Sequence, residues 1–232
     1  AEKNGESHHE PRSRDLADDA AKERVAKRKD AAKTSQWANP QVAEGMVVEG
    51  DDEGLNLSSM PAHIFRAYDI RGNADTELSD EAVRSIGLAI GTTAINGGQS
   101  RLVIGRDGRL SSGRIYDALA NGLLASGCDV VGIGLVAAPM LYFAAECLGT
   151  KAGIMVTGSH NGPAVNGLKV VLHGQSLAEL QIKALAELIT SSGFEQGQFE
   201  QHQGVLSEQT ITDQYIEHIT EDVVVASSIK IV

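Results

Sequence analysis

The sequence predicts an α/β fold: a mainly parallel mixed sheet sandwiched between helices, preceded by a disordered or partly helical N-terminal linker. Three observations carry that expectation. Short aliphatic runs recur down the chain, among them Leu102-Val103-Ile104, Val130-Val131-Gly132-Ile133 and Gly153-Ile154-Met155-Val156, and such continuous runs suit strands buried on both faces. Helix-like segments stand between them, and a repeated strand, loop, helix order implies parallel pairing. Residues 1–60, by contrast, hold nine Lys/Arg and thirteen Asp/Glu, which leaves too little apolar surface to offset the entropy of ordering a backbone.

Residues 1–60 therefore read as a charged flexible linker. Between Asp15 and Lys33, Asp18/Lys22 and Glu23/Lys27 lie at i,i+4, the spacing that supports a solvated helix. Leu16 and Val25 are the only large apolar residues there, so a bland solvated linker is favoured over a partner-binding helix or a spacer from an absent upstream domain; Trp37 is the one residue a pure spacer does not require. Residues 61–222 read as the folded domain. The strand Leu102–Ile104 runs into Gly105-Arg106-Asp107-Gly108-Arg109, and Ser111 or Ser112 can cap a helix carrying Ile115, Leu119, Leu123 and Leu124. Val130–Ile133 forms the next strand, the stretch from Pro139 through Cys147 a helix, and Gly153–Val156 a third strand. After a loop at 157–167, Leu168-Lys169-Val170-Val171-Leu172 resumes as a strand, Leu177 to Ile189 is an amphipathic helix, and 208–222 is helix-like. Residues 223–232, with Ile229-Lys230-Ile231-Val232, read as the first strand of a further domain. The chain starts at Ala1 rather than Met, and both ends read as cut from something longer.

A formal net charge of -11 repels nucleic-acid phosphate and gives no steering toward anionic membrane, so neither partner is expected. No apolar run reaches the length of a spanning helix, and there is no signal-peptide core. Cys128 and Cys147 lack metal-ligand company or C-x-x-C spacing and read as buried free thiols, which suits a reducing cytoplasm.

Ligands of such sheets gather at the carboxyl ends of strands, so the loops at 105–112 and 157–167 are expected to share one rim. Three clusters stand out: Phe65-Arg66-Ala67-Tyr68-Asp69-Ile70-Arg71-Gly72, then Gly105-Arg106-Asp107-Gly108-Arg109-Leu110-Ser111, then Thr157-Gly158-Ser159-His160-Asn161-Gly162-Pro163-Ala164-Val165-Asn166-Gly167-Leu168-Lys169. In the third, Gly158, Gly162 and Gly167 let backbone N–H groups approach an anion, and Lys169 adds positive charge. No Walker A loop is present. Ser159 and His160 are adjacent, and on an extended loop they would point apart, which with the missing G-x-S-x-G elbow argues against a hydrolase pair. A bland alternative is that Ser159 and Asn161 merely turn the chain through local hydrogen bonds.

In that order, F-R-A-Y-D-I-R-G, G-R-D-G-R-L-S and T-G-S-H-N-x-P-x-x-N-G-L-K resemble the α-D-phosphohexomutase superfamily, specifically its bacterial phosphomannomutase/phosphoglucomutase branch, over roughly residues 61–232. The resemblance implies the phosphoserine-bearing domain I of that family and the entry into its second domain. By the same likeness Ser159 matches the phosphorylated serine, whose phosphate helps bind Mg²⁺; His160 and Asn161 match neighbours that orient that loop, with His160 a candidate catalytic residue and Asn161, Asn166 and Gly158 candidate substrate-binding or loop-orienting residues. Lys169 matches the lysine beside the transferring phosphate, and Tyr68 and Arg71 match residues lining the cleft. The implied reaction interconverts a hexose 1-phosphate and a hexose 6-phosphate through a hexose 1,6-bisphosphate, with the remaining domains of the same chain as partners.

Two departures from the family pattern are visible. The family follows S-H-N with P-P, an acidic and an aromatic residue, where this chain has Gly162, Ala164 and Val165; it commonly has V-P-T-P where Val136-Ala137-Ala138-Pro139 stands. The family's D-G-D-G-D-R metal loop, G-E-x-S-G-H sugar loop and C-terminal phosphate-binding domain are not among these residues, so the fragment alone is expected to be inactive. A non-catalytic phosphosugar- or anion-binding module is the alternative.

Overall fold

The computed structural model describes residues 60–191 and 203–223. Most of the expected linker and the expected strand at 229–232 lie outside the described residues. A 3-10 turn, Ala62–Ile64, leads into β1 (Ile70–Asn73), α1 (Asp80–Asn96), β2 (Arg101–Arg106), α2 (Ser112–Ala125), β3 (Asp129–Leu135), α3 (Ala138–Cys147), β4 (Gly153–Val156), β5 (Val165–Leu172), β6 (Gln175–Ser176), α4 (Glu179–Ser191), β7 (Leu206–Glu208) and α5 (Thr212–Asp222).

The seven strands form one sheet in the order β1-β5-β4-β2-β3-β7, with β6 on β5. β2 pairs in parallel with β3 and β4, and β3 with β7. β5 is antiparallel to β1, β4 and β6, so it alone runs against the rest, and the mainly parallel mixed sheet is borne out. Side chains alternate between the two faces. Leu102, Ile104, Val130, Ile154, Val156, Leu168 and Val170 bury against α1, α2 and α4; Val103, Val131, Ile133 and Met155 bury with Leu141 and Ala144 of α3 and with Ile211 before α5. Each fully buried Leu or Ile contributes about 1.5–3 kcal/mol of transfer free energy.

α1 is the longest helix among the described residues. Ser79 caps it, its hydroxyl accepting from the Ala82 N–H at 3.2 Å, and Asp80 and Glu81 occupy its positive first turn. It crosses α2 closely because glycines lie at the contact: a Cβ on Gly87 would stand 2.6 Å from the Leu119 carbonyl oxygen, and one on Gly122 would strike the Arg84 carbonyl.

Some boundaries differ from expectation. The stretch 208–222 opens inside β7, whose backbone pairs with β3, and becomes helical only from Thr212. The helix expected from Leu177 starts at Glu179, because the Leu177 N–H is held by the Val170 carbonyl and the Gln181 side chain accepts from the Ala178 N–H. Cys128 is buried, and burial with the neighbouring Asp129 pushes its thiol up to about 12. Cys147, expected to be buried, is exposed at the end of α3. Among the described residues no helix is long and apolar enough to cross a membrane.

Candidate functional site

β2 and β4 are parallel neighbours, so the loops that leave their carboxyl ends meet on one rim, as expected. The Asp107 N–H donates to the Val156 carbonyl at 2.9 Å, which carries the sheet's spacing into the loops. Asp107 then becomes the junction. Its carboxylate accepts from the Thr157 hydroxyl at 2.8 Å, the Ser112 hydroxyl at 2.5 Å, and the backbone N–H and Nε of Arg109 at 3.1 and 3.2 Å. Burial raises its pKa, but these hydrogen bonds and the Arg109 charge outweigh burial and hold the carboxyl below its usual value. Ser111 occupies the cap position of α2, yet neither serine caps with its side chain: Ser112 turns to Asp107, and both hydroxyls accept from Asn166 Nδ2 at 2.9 Å. Asn166 is fully buried, and its Oδ1 accepts from the Gly167 N–H at 2.8 Å.

Beyond Thr157 the chain rises to an exposed Ser159, whose φ of +55° lies in the left-handed region. For a residue with a Cβ that conformation costs about 1–2 kcal/mol. Three contacts hold the turn: the Ser159 N–H donates to Thr157 Oγ1 at 2.9 Å, and both the backbone N–H and Nδ2 of Asn161 donate to the Gly158 carbonyl, at 3.1 and 2.9 Å. The left-handed step also overturns one expectation. Ser159 and His160 do not point apart, because the loop is not extended there; Ser159 Oγ lies 3.3 Å from His160 Nδ1. Among the described residues His160 makes no bond to a carboxylate, so a hydrolase triad is not formed. Asn161 does turn the chain through local bonds, whereas the Ser159 hydroxyl makes no bond to backbone among the described residues.

Arg109 supplies the largest number of contacts to this loop. Nη1 donates to the carbonyls of Gly162 and Val165 at 2.7 and 3.0 Å, and Nη2 to those of Ser159 and Asn161 at 2.8 Å each. Gly158 is glycine for a reason other than anion approach: a Cβ there would lie 2.4 Å from the Val165 carbonyl oxygen and 2.5 Å from Arg109 Cζ. Gly162 alone of the three glycines opens onto empty space.

Arg71 and Lys169 lie back from the loop on adjacent strands. Arg71 pairs with Gly167 across β1 and β5, and directly opposed residues share a face, so Arg71 and Lys169 are diagonal neighbours on the face opposite Ile70 and Leu168. Gly167 makes room, since a Cβ there would meet Arg71 Cβ at 3.3 Å. Arg71 pairs with Asp69, while its buried Nε has no hydrogen-bond partner among the described residues. Lys169 is half-buried and its ammonium makes no hydrogen bond or ion pair among the described residues, and Tyr68 is 78% exposed. The structure thus brings Ser159, His160, Asn161 and Gly158 together, ties Asn166 to Ser111 and Ser112 at the start of α2, and gives Arg71, Lys169 and Tyr68 no hydrogen bond to Ser159 among the described residues. The roles of Asp107, Arg109, Ser112 and Thr157 were not read from the sequence, although all four stand in or beside the second and third clusters.

Residues 62–196 match the family model described as phosphoglucomutase/phosphomannomutase, alpha/beta/alpha domain I. The chain belongs to the phosphoglucomutase/phosphomannomutase family. A phosphomannomutase/phosphoglucomutase of Pseudomonas aeruginosa is 41% identical over 174 residues, 75% of this chain and 36% of that protein. A phosphoglucomutase of Neisseria meningitidis serogroup B is 43% identical over 166 residues, 71% of this chain and 35% of the other. The crystal structure of a phosphoglucomutase/phosphomannomutase family protein from Burkholderia thailandensis superposes with a TM-score of 0.66 at 39% identity, covering 72% of this chain and 37% of that one. This chain spans little more than a third of the length of the phosphoglucomutase/phosphomannomutase relatives it matches.

Proposed function

We propose that residues 61–222 are the phosphoserine domain of a hexose-phosphate mutase, with Ser159 as the phosphoryl carrier. The observation that carries this reading is an exposed hydroxyl, with no backbone bond among the described residues, on a loop four of whose carbonyls are held by Arg109. A phosphoryl carrier needs that combination, since in-line transfer demands a fixed oxygen and open access for the acceptor. In the forward step the phosphoserine O–P bond breaks as a bond forms from a free hydroxyl of the hexose 1- or 6-phosphate. The hydroxyl proton leaves to a base, the serine oxygen takes up a proton as the phosphoryl departs, and it gives that proton up again when it is rephosphorylated. Arg71 and Lys169 supply positive charge for the transferring phosphoryl, and one of them also handles a proton. The bisphosphate turns over and returns its other phosphoryl to Ser159.

Mg²⁺ belongs to the proposal, but the described residues do not make a site for it alone: no group of three or more His, Cys, Asp or Glu is gathered among them. A phosphate on Ser159 would offer one oxygen ligand, and further ligands and the sugar-selecting groups would come from the rest of the protein. The relatives' names leave glucose and mannose phosphates equally open as substrates.

Phosphopeptide mass spectrometry on protein purified from cells is expected to find Ser159 as the dominant modified residue. In the full-length protein Ser159→Ala is expected to lower turnover of glucose 1-phosphate and mannose 1-phosphate by on the order of a thousandfold or more. Phosphate on Ser111 or Ser112 with Ser159 unmodified overturns the assignment.

A further inference from the structure

An arginine near a phosphorylated serine invites the reading that it binds phosphate. The geometry of Arg109 points elsewhere. Guanidinium carries five N–H donors, and here each is committed: Nε to the Asp107 carboxylate, and the four Nη hydrogens to the carbonyls of Ser159, Asn161, Gly162 and Val165. No donor is left for a substrate oxygen, and the side chain is only 17% exposed. Arg71, with a buried Nε lacking a hydrogen-bond partner among the described residues, is the opposite case.

We propose that Arg109 is a positioning residue that holds the Ser159 loop in its transfer-ready shape and never contacts the sugar phosphate. The loop spends conformational free energy to place Ser159 in the left-handed region, and four charge-assisted hydrogen bonds to its carbonyls offset that cost. The clamp also sets the loop's polarity. A trans peptide points its C=O and the following N–H in opposite directions, so gathering the Ser159 carbonyl onto the guanidinium turns the His160 N–H away from it. Asp107 fixes the guanidinium in turn and is itself tied to β4 through Thr157. Lysine cannot substitute, because an ammonium offers three donors from one point and no planar fork.

The proposal rests on Ser159 as the phosphoryl carrier, but its first readout does not. Hydrogen exchange on the 232-residue chain carrying Arg109→Lys is expected to show the Ser159, Asn161 and Val165 amides exchanging about tenfold or more faster, with β2 and α2 unchanged. In the full-length protein the same variant should lose kcat on glucose 1-phosphate by on the order of a hundredfold, with KM changed far less. A folded Arg109→Lys chain with wild-type loop exchange overturns the proposal, and so does a raised KM at unchanged kcat, which would make Arg109 a substrate contact. If Arg109→Lys does not fold, the wild-type chain supplies the test: with four Nη hydrogens each held by a carbonyl, nitrogen-edited NMR is expected to resolve the Arg109 Nη protons as separate, slowly exchanging signals, and a single rapidly averaging signal counts equally against the clamp. Faster loop exchange alongside full activity of Ser159→Ala would sink the phosphoryl-carrier reading while leaving the clamp standing.

Discussion

Gly162 stands where the family has proline, and its surroundings permit the exchange. Its φ lies outside the left-handed region, a Cβ there would meet nothing within 4 Å, and its N–H makes no hydrogen bond among the described residues. Proline would keep the carbonyl that Arg109 holds while removing backbone freedom from the unclamped state. Gly162→Pro in the full-length protein is therefore expected to raise kcat with a smaller change in KM, as steady-state kinetics would show; an unchanged or lower kcat with normal folding and normal Ser159 phosphorylation would mark Gly162 as an accommodated part of the loop. Asp107 supports a pH prediction. Its pKa is lowered in the folded chain, so its contribution is fully present above the unfolded carboxylate value of about 3.9 and is lost as pH falls through the lower folded value. Loop exchange in the wild type should rise steeply below about pH 4, and Asp107→Asn, short of an acceptor, should cost about 1–3 kcal/mol at neutral pH in urea unfolding and lose that acid-side dependence. Ser159 and Asn161 were legible as loop residues because their chemistry is local. Arg109 was not, since its partners lie fifty or more residues away and a run of Gly, Arg and Asp says nothing of which carbonyls it will gather.

At the scale of elements, legibility followed apolar density. The strands β2, β3 and β4 could be placed because each carries a run of aliphatic residues, and β5 because Leu168 to Leu172 does. β1 has only Ile70 as an aliphatic residue and β7 only Leu206; both are strands by virtue of backbone pairing with β5 and β3, which no local pattern encodes. α1 went unnamed although it is long, because Gly87 and Gly91 interrupt its apolar stripe. Those glycines are the contact with α2, and this gives a paired prediction. Gly122→Ala would drive a Cβ into the Arg84 carbonyl and stand 2.9 Å from the Leu88 nitrogen, so it should cost about 1–3 kcal/mol through overpacking. Gly113→Ala, in the same helix but with nothing within 4 Å, should instead stabilise by a few tenths to about 1 kcal/mol from helix propensity. Urea midpoints of the two variants check the pair, and a similar shift for both would refute close packing at Gly122.

For the whole molecule, a chain spanning little more than a third of its relatives carries the proposed phosphoryl donor without a gathered metal site among its described residues. The purified 232-residue chain is accordingly expected to show no sustained turnover of glucose 1-phosphate or mannose 1-phosphate with Mg²⁺ and a hexose 1,6-bisphosphate present, and a coupled assay decides the matter. The sheet order has a further result for how the chain reaches its folded form. Consecutive strands β2, β3 and β4 join as neighbours soon after synthesis, but β1 docks only on β5, with Ile70 and Leu168 about a hundred residues apart, a separation whose closure entropy must be met before the pairing is rewarded. Pulse-labelled exchange during refolding should find the β1 amides protected after those of β2 and β4. Arg71 rides on that last strand, so the rim with Ser159 takes shape before the cation beside Lys169 arrives, and a nascent chain halted short of β5 displays neither.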